Sequence, residues 1–226
     1  MTSPRTCVLG SSFIGAVYAA YKLATQVREA HAVDFFGRAH GGFASVDIAD
    51  GQFTNLGFRS VTPSPDIFQY TAFVVYADLP SPHAVHLLLQ DCARAGYSQQ
   101  VAQALVYDTV QKTATMRLCR NLANLTGKPV SVLSANVPAH SKMSIAPKRY
   151  VRSVKLIEQA VAGAAYIAFP PQIFDENYVP RSEFYRDALL IGGEKARSAK
   201  VDYQHMNEAG GLAVLQAIIA SISTPF

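Results

Sequence analysis

Cysteine and charge are both scarce in this 226-residue chain. Only three cysteines occur, Cys7, Cys92 and Cys119, far apart and with no C-x-x-C pair. Neither a zinc site nor a disulfide framework is therefore indicated, and Cys7 is expected as a buried strand residue. Asp, Glu, Lys and Arg together make 16% of the chain against 50% apolar residues. The formal charge of +4 and the pI near 9.0 are mildly basic. The densest basic group, Lys142, Lys148, Arg149 and Arg152, reads as a solvated face and not as a nucleic-acid footprint. No apolar run reaches membrane-spanning length, so no membrane partner is expected. Met1 to Arg5 leads into no apolar core with a small-residue cleavage site, so no signal peptide is expected and a cytoplasmic location fits. No Walker lysine follows Gly10-Ser11-Ser12, and Gly10 and Gly15 do not complete G-x-G-x-x-G, which argues against a nucleotide or dinucleotide cofactor. No two histidines sit at helical ligand spacing with a carboxylate, so neither metal nor other cofactor is expected. Internal repeats and linkers are absent as well, which predicts one domain over residues 1–226.

What is present is an alternation of short apolar runs and helical periods. Thr6 to Leu9 reads as a strand that stops at Gly10-Ser11-Ser12, with helical spacing from Ile14 towards Arg28. Ala32 to Phe36 is a second strand, followed by the loop Gly37-Arg38-Ala39-His40-Gly41-Gly42. Ala44 to Ile48 and Gln52 to Leu56, joined around Asp50-Gly51, predict a β-hairpin insertion. Phe73 to Ala77 is a third strand, continuously apolar like a buried parallel strand, and runs into a loop from Asp78 to His83. A helical region from about Ser98 to Leu125 precedes a fourth strand, Val130 to Ser134. A helix from about Tyr150 to Ala162, a strand from Ala165 to Phe169 and a last helix from Leu212 to Ile222 complete the order. The pattern predicts an α/β protein with five mostly parallel strands and helices on both faces.

Two stretches carry chemistry. Ser11 and Ser12 fall at the carboxyl end of a strand and the amino end of a helix, where backbone N–H groups stabilise negative charge. They suit a nucleophile there, and they equally suit N-capping. Near the other end, Val201-Asp202-Tyr203-Gln204-His205 places an aspartate three residues before a histidine. In a turn the carboxylate can hold one ring nitrogen and leave the other free as a base. The same spacing also suits a helix start, with Asp202 favoured by the dipole. His40, His83 and His140 lie in loops that can open on the same sheet edge, where they would contact substrate or simply be solvated.

Together, Val8-Leu9-Gly10-Ser11-Ser12 and Asp202-x-x-His205, with Met206-Asn207-Glu208-Ala209-Gly210 after it, resemble the first and last blocks of SGNH (GDSL-type) hydrolases. The loops Phe35-Phe36-Gly37 and Tyr97-Ser98-Gln99-Gln100 are similar to members of that family from bacterial polysaccharide clusters. The resemblance implies a flavodoxin-like three-layer α/β/α sandwich and a Ser12–His205–Asp202 triad. It also implies an oxyanion hole from the Ser12 N–H and a glycine N–H after the second strand, Gly41 or Gly42, with Gly37 a further choice. Two departures stand out. The aspartate that usually precedes the nucleophile is Ser11. The family's oxyanion-hole asparagine has no match after the third strand, where Asp78 stands; either Asn136, after the fourth strand, reaches across into the oxyanion hole, or backbone N–H groups form it alone, or the site is degenerate. A carboxylate repels an oxyanion, so Asp78 does not replace the amide and is expected beside the substrate with His40 and His140.

The implied activity is that of a serine esterase or deacylase on a small-molecule or glycan O-acyl ester. An acyltransferase to a sugar or other small hydroxyl, and a binding protein that keeps the fold without turnover, are the alternatives that the departures leave open.

Overall fold

The computed structural model describes residues 4–135, 144–185 and 205–223. Strand β1, Arg5–Gly10, is followed by helices α1, Ile14–Leu23, and α2, Thr25–Ala30. Then come β2, Ala32–Gly37, a 3-10 turn over His40–Ser45, and the hairpin of β3, Asp47–Ala49, with β4, Gln52–Thr54. A short strand β5, Phe58–Arg59, precedes β6, Ala72–Tyr76. Three helices follow: α3, Pro82–Arg94; α4, Gln99–Gln111; and α5, Ala114–Thr126. The described chain closes with β7, Val130–Leu133; α6, Pro147–Ala160; β8, Ala165–Ile167; and α7, Glu208–Ser223.

The main sheet has six strands in the order β5-β2-β1-β6-β7-β8. All neighbours are parallel except β5, which pairs antiparallel with β2 through Phe36–Arg59 and Gly37–Phe58. The five parallel strands thus run 2-1-3-4-5 in chain order, the flavodoxin-like winding, whose direction reverses between β1 and β6. The sixth strand, β5, is additional to the five expected, since two residues give no alternation to detect.

Side chains of the strands alternate between two cores, as period-two geometry requires. Cys7, Leu9, Phe36, Phe73, Val75, Val130 and Val132 belong to a core with Val106, Met116, Leu118 and Ile157, drawn from α4, α5 and α6. Val8, Phe35, Val74 and Leu133 point the other way, to a core with Val17 of α1 and Val214 and Leu215 of α7. The result is a three-layer α/β/α sandwich with the small hairpin beside it. All three cysteines are buried and free.

Three differences from the expected elements have local causes. The long helical region is two helices, α4 and α5, because Thr113 accepts a hydrogen bond from the Met116 N–H and starts a new helix. Ser81 and Pro82 start α3 in the same manner, with Ser81 accepting from the Ala84 N–H and Pro82 in the first turn; the sequence reading placed His83 in a loop. Ala44 and Ser45, expected in the hairpin, close the 3-10 turn instead. Among the described residues no helix is long and apolar enough to cross a membrane.

Candidate active site

The site forms where the sheet changes winding direction, outside the carboxyl ends of β1 and β6, the usual ligand crevice of an open α/β sheet. Gly10 ends β1 there. A Cβ at Gly10 would fall 2.2 Å from Ile14 Cγ2 and 2.5 Å from the Tyr76 carbonyl oxygen, so the tight turn needs glycine. The Ser11 N–H donates to that Tyr76 oxygen at 3.2 Å and the Arg38 N–H to the Gly10 oxygen at 3.1 Å, stitching β1 to both neighbours beyond the ladder.

Ser12 emerges from this turn with 6% of its surface exposed, and His205 opposite it is 5% exposed. Ser12 Oγ lies 2.7 Å from His205 Nε2, across 193 residues of sequence. In the tautomer protonated at Nδ1, the serine hydroxyl donates to Nε2, the geometry a general base needs. The Phe13 ring lies between the His205 ring and Tyr76, with centroid separations of 6.0 and 5.7 Å. Burial pushes the Tyr76 hydroxyl well above its ordinary value, and nearby Tyr185 adds to the effect.

The geometry answers the capping question at both ends of the chain. The N-cap of α1 is Phe13, with no side-chain cap. Neither serine hydroxyl caps it: Ser12 Oγ engages His205, and Ser11 Oγ is buried without a hydrogen-bond partner among the described residues. At α7 the helix start belongs to Asn207, whose Oδ1 accepts from the Gly210 N–H at 3.1 Å, and to Glu208 in the first turn. His205 precedes that helix in a bend. Asp202 lies outside the described residues, as do Asn136 and His140.

The remaining candidates divide. Among the described residues the Ser12 N–H has no acceptor, which leaves it available at the amino end of α1. Gly41 and Gly42 lie in the 3-10 turn after β2, as does His40, whose side chain is not described. A Cβ on Gly42 would fall 2.7 Å from Arg38 Nε, so this glycine makes room for the arginine side chain, which reaches the Asn55 carbonyl oxygen at 2.6 Å. Gly37 is the last residue of β2 and its carbonyl accepts from the Gly57 N–H.

Asp78, expected beside the substrate, is exposed at the end of β6 and bonded to α5. Its carboxylate accepts from the Ala114 N–H at 2.9 Å, the Thr115 N–H at 2.8 Å and Thr115 Oγ1 at 2.6 Å. These bonds cap the amino end of α5. His83, expected in a loop, lies in a helix. It is 3% exposed in the first turn of α3, and its Nε2–H donates to the Tyr178 carbonyl at 2.7 Å. Its ring stacks on Phe174 and meets Tyr150 edge-on. Among the described residues, groups of three or more metal-binding side chains are absent.

No family model matches the chain, and no curated protein sequence does. Among solved structures, a mutant of Axe2, an acetyl-xylooligosaccharide esterase from Geobacillus, is similar with a TM-score of 0.46 and 10% identity. The alignment covers 99% of this chain and 96% of that one. A likeness of that size carries no weight for substrate or catalysis.

Proposed function

We propose that the protein is a serine hydrolase of O-acyl esters, with Ser12 as nucleophile, His205 as general base and Asp202 as the group that orients the imidazole. The observation that carries this reading is the buried 2.7 Å contact between Ser12 Oγ and His205 Nε2 at the switch point of the sheet. Two buried polar side chains from opposite ends of the chain meet there. A merely structural serine at that turn would cap α1, and Ser12 does not.

The steps follow from the atoms. Ser12 Oγ attacks the acyl carbon as its proton passes to His205 Nε2, and the carbonyl oxygen becomes an oxyanion. The Ser12 N–H, at the positive end of α1, donates to that oxyanion, with a second N–H from Gly41 or Gly42. Collapse breaks the ester C–O bond while Nε2 returns its proton to the leaving alkoxide, giving an acyl-serine and a free alcohol. Water then attacks the acyl-serine with His205 again taking a proton, and the acid is released as Ser12 is regenerated. Removing one oxyanion donor typically costs about 3 kcal/mol, on the order of a hundredfold in rate, so a hole lacking the family's asparagine slows turnover without abolishing it.

The sequence resemblance points to acylated carbohydrates as the substrate class to test first. The experiment is a pH-stat screen of O-acylated sugars and simple aryl esters, with Ser12→Ala as control. Acid release by the wild type, reduced at least a thousandfold in Ser12→Ala, supports the reading; equal release by both proteins contradicts it.

A further inference from the structure

Asn207 stands two residues beyond His205 and makes three contacts at once. Its Oδ1 caps α7 through the Gly210 N–H. Its Nδ2–H donates to the Glu183 carbonyl at 2.6 Å, and its backbone N–H donates to the Phe184 carbonyl at 2.8 Å. Both carbonyls belong to the short 3-10 turn Ser182–Phe184. That turn is itself anchored in the core: Tyr185, which follows it, is fully buried, and Met206 between His205 and Asn207 is buried in the same cluster. The main chain at His205 is a bend, neither helical nor strand.

We infer that Asn207 is a positioning residue of this site, acting on the main chain where the proposed Asp202 acts on the ring: by clamping the turn Ser182–Phe184 with its amide while capping α7 with its oxygen, it fixes the bend that presents His205 Nε2 to Ser12. The inference rests on the proposed hydrolase reading for its catalytic meaning, but the clamp is a property of the fold. The two ends of the side chain do separable work. The oxygen serves the helix, and the amide nitrogen serves the bend. A cap alone would be served equally well by aspartate, whose charge also suits a helix amino terminus. Aspartate cannot donate to the Glu183 carbonyl; it would set two acceptor oxygens against each other at a distance meant for a hydrogen bond. Serine caps comparably and carries no charge, so it removes the clamp without adding repulsion. A displacement of about 1 Å at a base can cost on the order of a hundredfold in rate, so the loss of one clamp is large enough to read.

The test compares wild type, Asn207→Asp and Asn207→Ser for thermal midpoint, for the second-order rate of labelling by a fluorophosphonate, and for the His205 imidazole 15N shifts with and without Ser12→Ala. The inference expects midpoints within about 2 °C of wild type for at least one variant. It expects labelling ten- to a hundredfold slower in both, with kcat falling and KM within about threefold on any ester the wild type cleaves. It also expects the shift change produced by Ser12→Ala to shrink by at least half in both variants. Wild-type labelling with an undiminished Ser12→Ala shift change would overturn it and leave Asn207 a cap only. If the wild type is not labelled while the shift change shrinks, the hydrolase reading fails and the positioning role stands.

Discussion

Ser12, Ser11 and Asp78 show how differently neighbouring polar residues can be used at one sheet edge. The strand-to-helix turn by itself suits either serine; the fold separates them, giving the Ser12 hydroxyl to His205 and burying that of Ser11 without a hydrogen-bond partner among the described residues. Asp78 could not be told from a substrate contact in the sequence, because its partners, Ala114 and Thr115, lie 36 and 37 residues away. Its replacement is therefore a clean prediction. Asp78→Ala should destabilise the protein by about 1–2 kcal/mol through loss of the α5 cap, while Ser12 keeps its reactivity towards a fluorophosphonate. Urea titration beside a labelling assay measures both; a stable protein that has lost labelling would return Asp78 to the site. For the proposed orienting acid, Asp202→Asn should keep the fold and lower kcat by about 10³–10⁴-fold, measured on the best ester from the screen, since the amide favours the wrong imidazole tautomer.

At the scale of elements, the contact between α1 and α7 sets the distance between Ser12 and His205. Ser12 stands just before α1 and His205 just before α7, and the helices cross where Gly211 meets Ala16. A Cβ on Gly211 would lie 2.1 Å from the Ala16 carbonyl oxygen and 2.3 Å from its carbon, both backbone atoms that cannot turn aside. Ala is ordinarily better than Gly inside a helix by about 1 kcal/mol. Here the forced separation should win, and Gly211→Ala should lose a net ~1–3 kcal/mol and slow fluorophosphonate labelling. A stabilised variant in a melting experiment would show that the helices are not in close backbone contact. Strands and long helices were legible because apolar runs and periods are local. The starts of α3 and α5 were also written locally, in Ser81-Pro82 and Thr113, but a continuous helical period across residues 98–125 concealed the second. The cluster of His83, Tyr150, Phe174 and Tyr178 was not legible, since it joins α3, α6 and the chain after β8 with no spacing rule to announce it.

For the whole molecule, pH enters through buried histidines. Burial lowers the His83 pKa below 6.5, outweighing the Tyr178 carbonyl that favours the charged form, with His86 lowering it slightly further. Burial also lowers His86, with Arg149 acting in the same direction. The unfolded chain binds these protons more readily than the folded one. Stability is therefore fully present above about pH 6.5 and is lost as pH falls from there through the folded values. The melting temperature should drop between pH 7.5 and 5, and His83→Gln, which keeps a donor for Tyr178 but does not titrate, should flatten that drop. An identical pH slope in the variant would remove His83 from the account. The order of runs in the sequence predicts a parallel α/β sheet but not its winding, which the family resemblance implied; the observed winding places Ser12 at the switch point. The meeting of Ser12 with His205, 193 residues on, needed the fold.

The central claim is that Ser12 is an activated nucleophile, and the mass of a covalent adduct tests it most directly. The wild type treated with a fluorophosphonate should gain one adduct, mapped by peptide sequencing to Ser12. Ser12→Ala should gain none, and His205→Ala should react at least a hundredfold more slowly. An unmodified wild type, or an adduct that persists in Ser12→Ala, would contradict it.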